Sequence, residues 1–170
     1  MKKSWLKRGN SVLKRSWIKR KPKNYTPGQI RRLIKKATPS RKAIIDNLDD
    51  IFREIIRLRD GFTCQRTRIK GDKYSIDVSH FYSRSYFRTR WDLENACCLT
   101  KGQHKDWAHV KHQEFSDWWE FRIGKEAFER LKLKARVKGT IYTSDLLLLK
   151  LDLLSKLKYF SQLSNTIKEE

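Results

Sequence analysis

The sequence predicts an α+β fold that is mostly helical, with a two-stranded hairpin and its following helix set between longer helices, behind a basic N-terminal arm. Three observations predict it. Apolar residues recur at helical spacing over most of the chain beyond residue 43. Two short strand-like runs flank a polar, arginine-rich stretch in the middle. The first 43 residues hold 16 of the 40 basic residues and no acid. At 170 residues there is room for one compact domain and an extension, but not for two domains with separate cores.

Residues 1–40 read as the arm. A self-repelling segment with so little to bury is expected to stay mobile until it meets phosphates. It repeats itself, with "SWLKR" at 4–8, "SWIKR" at 16–20 and "VLKR" between them. Lys7, Arg8, Lys19 and Arg20 are therefore candidate phosphate contacts, with Trp5 and Trp17 able to stack on bases. The plainer reading is a solvated basic arm without defined geometry. The whole chain carries 40 basic against 19 acidic residues, a formal charge of +21, which points to a polyanionic partner and first of all to nucleic acid.

No apolar run is long enough to cross a membrane, and the basic start lacks the apolar stretch of a secretory signal, so an intracellular protein without a membrane partner is expected. Cys64, Cys97 and Cys98 are odd in number and awkwardly placed for a disulfide framework, and read as packing thiols.

The domain begins with Ile44, Ile45, Leu48, Ile51, Phe52, Ile55, Ile56 and Leu58 at helical spacing, with Asp49, Asp50, Arg53 and Arg57 mainly on the opposite face. This helix should end near Asp60-Gly61. "YSIDVSHF" then reads as a strand, "YSRSYFRTRWDLE" as a loop and "NACCL" as a second short strand, with helical composition resuming after Lys101. Residues 113–135 read as two helices broken at Gly124, whose Phe115, Trp118, Trp119 and Phe128 are core rather than a base-stacking platform. Residues 145–163 form a leucine-rich helix that either closes the core or pairs with a second subunit as a homodimer.

The residues that carry chemistry fall on this framework. His80 ends the first strand, Asn95 opens the second and His104 opens the following helix. Strand, loop, strand and helix bearing His, Asn and His make the HNH, or ββα-metal, arrangement. A neutral imidazole can take a proton from water, a metal beside the scissile phosphate can absorb developing charge, and a side-chain amide can hold the loop that aims the base. The spacing alone is a weak signal, because a chain with four histidines offers other triplets.

The surrounding stretches "LDDIFREIIRLRDGFTC", "DVSHFYSR", "TRWDLENA" and "WWEFRIGKEAFERLKLKAR" resemble phage recombination proteins of the NinG/Rap family over roughly residues 44–150. Members are HNH endonucleases associated with branched DNA. The resemblance implies His80 as general base, Asn95 as its positioning residue and His104 as metal ligand, with Arg84 and Arg90 beside the phosphate and Arg88 as a further contact. It also implies a divalent cofactor, Mg²⁺ or Mn²⁺, and the cytoplasm of the host cell if the chain is phage-encoded. Many such sites place an acid just before the first histidine. Here Ser79 stands there, and the nearest acid is Asp77, the candidate second ligand. Strict alternation puts Asp77 on the strand face opposite His80, so it can serve only if the strand twists or bulges.

The resemblance departs from its pattern at a zinc knuckle. Two C-x-x-C pairs often bind zinc there, whereas this chain has Cys64, Thr67, Thr100 and Gln103 at the matching positions. One thiolate cannot replace four, so structural zinc is expected to be absent and the domain to be stabilised by its apolar core. His109 lies five residues beyond His104, about 140° around an ideal helix, and reads with His112 as surface, although the two can share one face and a metal. The expected function is metal-dependent DNA cleavage. The alternatives are a non-catalytic nucleic-acid-binding protein with a vestigial site, and a homing- or packaging-type nuclease.

Overall fold

The structure, a computed structural model, describes residues 25–37 and 39–169. The chain divides between Pro39 and Ser40 into two units. In the first, helix α1 spans Pro27–Ala37. The basic arm was expected to lack structure, but here Thr26 and Gln29 form a capping box (Thr26 N–H to Gln29 Oε1, 2.9 Å; Gln29 N–H to Thr26 Oγ1, 3.3 Å) and Pro27 starts the helix. The repeats with Lys7, Arg8, Lys19 and Arg20 lie outside the described residues.

The second unit is α+β and mostly helical. It runs α2 (Arg41–Arg59), β1 (Ile76–His80), a 3₁₀ turn (Leu93–Asn95), β2 (Ala96–Thr100), a π-helical turn (Gln103–Ala108), α3 (His112–Ile123), α4 (Lys125–Arg136) and α5 (Thr143–Glu169). Ser40 caps α2 by accepting the Ala43 N–H at 3.1 Å. One stripe of α2, with Leu48, Phe52, Ile55 and Ile56, is buried against the hairpin and α5. Its far end is riveted to β2: Arg59 donates to the Leu93 and Ala96 carbonyls at 2.6 and 2.8 Å, and Asp60 accepts the Cys98 N–H at 2.7 Å.

β1 and β2 are antiparallel, and β2 is buried on both faces, so its Ala-Cys-Cys-Leu sequence shows none of the alternation of a half-exposed strand. Cys97 and Cys98 are packing thiols; burial pushes the Cys97 thiol up to about 12. The two helices expected over 113–135 meet at Gly124, whose φ of 85° is in the left-handed region that glycine adopts without steric cost. Trp119, Phe128 and Phe115 are core and surround Phe81, which stacks on Trp119 and meets Phe128 edge to face. Helix α5 closes the core with Leu146 and Leu153, and leaves Leu147, Leu148, Leu151 and Leu154 exposed on its outer side. No described helix is long and apolar enough to cross a membrane.

Candidate active site

The hairpin brings His80, Asn95 and His104 to one region without any irregularity in its pairing. The register runs unbroken from Ile76 opposite Thr100 to His80 opposite Ala96. His80 therefore sits at the loop end and Asn95 immediately before β2. Beyond Thr100 the chain turns at once into the π-helical segment, which returns His104 to the start of β1.

Asn95 is fully buried and uses both ends of its amide. Its Oδ1 accepts the Tyr82 N–H at 2.8 Å, and its Nδ2 donates to the Tyr82 and Thr89 carbonyls at 3.0 and 2.8 Å. It thereby ties both ends of the arginine-rich loop to the hairpin. That loop carries the carbonyl of Arg90, 3.1 Å from His80 Nε2. A carbonyl can only accept, so Nε2 carries the proton and Nδ1 keeps the free lone pair. Burial, against the ring of Phe52 5.6 Å away, lowers the His80 pKa from 6.5 to about 4. His80 is thus neutral throughout the physiological range, the form a general base needs. An NMR titration should find one imidazole with a pKa near 4; a value at 6.5 or above would contradict this environment.

The anchor of the loop is Asp49, which the helical periodicity placed on the outer face of α2 and which is in fact buried. Its carboxylate accepts from Arg90 Nε and Nη2 at 2.9 and 2.6 Å, from Trp91 Nε1 at 2.9 Å and from Arg84 Nη1 at 3.4 Å. Burial would raise its pKa, but the Arg90 and Trp91 hydrogen bonds and the two guanidinium charges hold it below the usual carboxylate value. Arg90 is committed to this pair and has its side chain 15% exposed, whereas Arg84 is 57% exposed. Of the two arginines expected beside the phosphate, only Arg84 has a guanidinium free to turn toward one.

His104 Nδ1 lies 3.3 Å from Asp77 Oδ2, so the carboxylate reaches His104 without a bulge in β1. A carboxylate fixes the proton on Nδ1 and leaves Nε2 as the ligand atom, while Asp77 Oδ1 has no protein partner among the described residues. His109, read from α-helical geometry as turned away, stands with its ring 4.8 Å from that of His104. The reason is the π-helical turn: its i→i+5 pattern stacks residues five apart, where an α-helix would separate them. Among the described residues no three His, Cys, Asp or Glu side chains are gathered into a ready metal cage. Asp77, expected as the second ligand, instead sits on His104 Nδ1, on the far side of the ring from Nε2, so it orients the imidazole, and His104 with His109 beside it is left to face an ion.

Asp77, His80, Arg84, His104, His109 and His112 line one cavity of about 740 Å³, and Arg53 and Arg57 of α2 line it as well. Those two arginines read from sequence as a solvated helix face; nothing in the periodicity distinguishes a solvated cation from one that lines a cleft. Arg88 lies outside this cavity, in a neighbouring groove.

At the knuckle positions the two turns are fastened without thiolate ligands. Gln65 N–H donates to the Cys98 carbonyl at 2.8 Å, Arg66 donates to Gln103 Oε1, and the Arg66 guanidinium covers the Trp107 ring at 3.7 Å. Buried Cys64 accepts the Thr67 N–H at 3.5 Å, and Arg68 follows with φ 60°, in the left-handed region. Burial raises the Cys64 pKa, but the donors of Thr67, Thr100 and Arg66 around its sulfur outweigh that and leave it below the ordinary thiol value. Elemental analysis of dialysed protein should find no stoichiometric zinc. One tightly held zinc per chain would show that another ligand set exists.

Comparison with protein-family models, with curated proteins and with solved structures finds no match to this chain.

Proposed function

We propose that the chain is a metal-dependent DNA endonuclease of the HNH type, similar to the NinG/Rap family and acting on branched or recombination-intermediate DNA. The observation that carries the reading is His80. It is neutral, held through Nε2 on a carbonyl that Asn95 and Asp49 fix in place, and lines the same cavity as the His104–Asp77 pair.

In this mechanism Arg84, with Arg53 and Arg57 lining the same cavity, holds the scissile phosphate. His80 Nδ1 removes a proton from the attacking water, and the Arg90 carbonyl stabilises the imidazolium that results. His104 Nε2 would hold the divalent ion, with Asp77 orienting the imidazole through Nδ1 and His109 alongside. When bound, Mg²⁺ or Mn²⁺ supplies charge stabilisation of the phosphoryl transition state and the leaving oxygen. The basic arm would add sequence-independent, salt-sensitive affinity. The exposed leucines of α5 would provide a homodimer contact.

Incubation with supercoiled plasmid and with branched DNA, in Mg²⁺ or Mn²⁺ and then in EDTA, tests the reading. Metal-dependent cutting is expected. Binding without cutting in any metal would leave a nucleic-acid-binding protein with an inert triplet.

A further inference from the structure

Beside the His80 cavity lies a second concave groove of about 850 Å³, between the arginine-rich loop and the C-terminal end of α4. It shares Tyr82 and Lys132 with the first cavity, so the two are continuous. Its lining contains Arg41, Arg88, Lys132, Arg136 and Lys138 and not one carboxylate. Lys132 is paired with Glu129 at 2.8 Å, whereas the other four cations make no salt bridge among the described residues.

The contrast with a third groove decides what this means. There Arg130, Lys134 and Lys156 are matched to Glu94, Asp92 and Asp152, and although Arg88 reaches this groove too, with Asp145 also in the lining its cations and carboxylates are equal in number. In the second groove the protein concentrates five like charges with no carboxylate in the lining, and four of the five have no salt bridge among the described residues. Arg41 is also placed in the first turn of α2, where the helix dipole disfavours a cation and no acid compensates. Unmatched cations in a concave site are the electrostatic complement of a polyanion.

Aromatic side chains specify the polyanion further. Tyr86 is 46% exposed, its ring 5.5 Å from that of Tyr82, and both line the groove. A cationic channel with accessible tyrosines fits unpaired nucleotides, whose bases present a free π-face, better than a duplex, whose bases are already stacked. Asn95 grips Tyr82 through both backbone polar groups, so the residue that positions the His80 loop also sets the mouth of this groove.

We infer that the groove is a single-strand subsite that takes the unpaired stretch of a branched or flapped DNA beside the scissile phosphate. The inference rests on the nucleic-acid reading of the adjoining cavity but not on catalysis there. The test is therefore made on binding alone, in EDTA, by fluorescence anisotropy of the full chain with a labelled single strand, a blunt duplex and a flapped duplex. The variants are Tyr86→Ala and the double variant Arg88→Gln/Arg136→Gln, each compared with wild type so that the basic arm cancels. Thermal unfolding of each confirms that the domain is intact.

Tyr86→Ala should weaken single-strand and flap binding about tenfold or more, the loss expected of one stacked base, with duplex affinity changed less than about twofold. The double variant should reduce the salt slope on single strands by about 1.4, two phosphate contacts' worth. Lys138→Gln, on the groove's flank, should act in the same direction if either variant proves unstable. Equal losses on duplex and single strand, or no loss with any variant, overturns the subsite. Either result is independent of whether the protein cuts DNA: absence of cleavage with these losses intact would sink the nuclease reading and leave the subsite standing.

Discussion

Asp49→Ala is expected to destabilise the domain by about 3–5 kcal/mol, more than any exposed charge in the protein should cost. The reason is what the substitution leaves behind. Arg90, with little exposure, loses a two-point partner at 2.9 and 2.6 Å, and Trp91 Nε1 loses its only acceptor among the described residues. The weight lies on those two; Arg84 is more than half exposed and its 3.4 Å contact adds little. Urea unfolding measures the effect as a lower midpoint at unchanged slope. A loss under about 1 kcal/mol would mean that Arg90 finds another partner and the loop has a different anchor. The pH dependence has a definite sign. The folded carboxyl is held below its ordinary value of 3.8, so its contribution is complete above that value and fades as pH falls through the folded one. Wild type should therefore lose this stabilisation in strong acid, and Asp49→Ala should not.

His80→Ala should lower single-turnover cleavage about 10²- to 10⁴-fold, or about 3–5 kcal/mol of transition-state stabilisation, while DNA affinity stays within about twofold. The ring hydrogen-bonds the Arg90 carbonyl and packs against Phe52, so the phosphate hold proposed for Arg84 does not depend on a hydrogen bond to it. A second readout separates the chemical role from a packing role. A histidine whose pKa falls from 6.5 unfolded to about 4 folded stabilises the domain fully above 6.5 and loses that contribution as pH drops toward 4. That loss, roughly 3 kcal/mol over the window, should be seen in wild type and be missing in the variant. Cleavage by His80→Ala at the wild-type rate would remove His80 from the chemistry.

Most of the hairpin module was legible in the sequence because each signal there is local. Strand-like "SIDVSH", the polar loop, "NACCL" and the break at Gly124 each announce an element within a few residues, and the triplet His80, Asn95, His104 falls at their junctions. Three features of the site were not legible, each for a physical reason. Asp49 looks solvated because helical periodicity assigns it to the polar face; only the tertiary approach of Arg90 and Trp91, more than 40 residues away, explains its burial. His109 was assigned away from His104 because five residues mean opposite faces in an α-helix, and no sequence rule signals that Gln103–Ala108 would wind as a π-helix. Asp77 was made a ligand conditional on a twist or bulge of β1; what the sequence did not signal is its contact with His104, which forms because the chain returns to β1 from the far end of a β2 paired without a break. The unpaired cations beyond the arginine-rich loop are brought together from α2, the loop and α4 by the fold alone.

The most direct test of the assigned roles is cleavage rate against Mn²⁺ concentration for His80→Ala and His104→Ala side by side. His104 is assigned to hold the ion with Asp77 and His109 beside it, so its loss should lower metal affinity and excess Mn²⁺ should restore part of the activity. His80 is assigned to move a proton, a function that no concentration of metal replaces, so its variant should stay flat across the series. Rescue of His104→Ala alone is the predicted result; equal rescue of both variants, or full activity in either, would contradict the assignment of base and ligand.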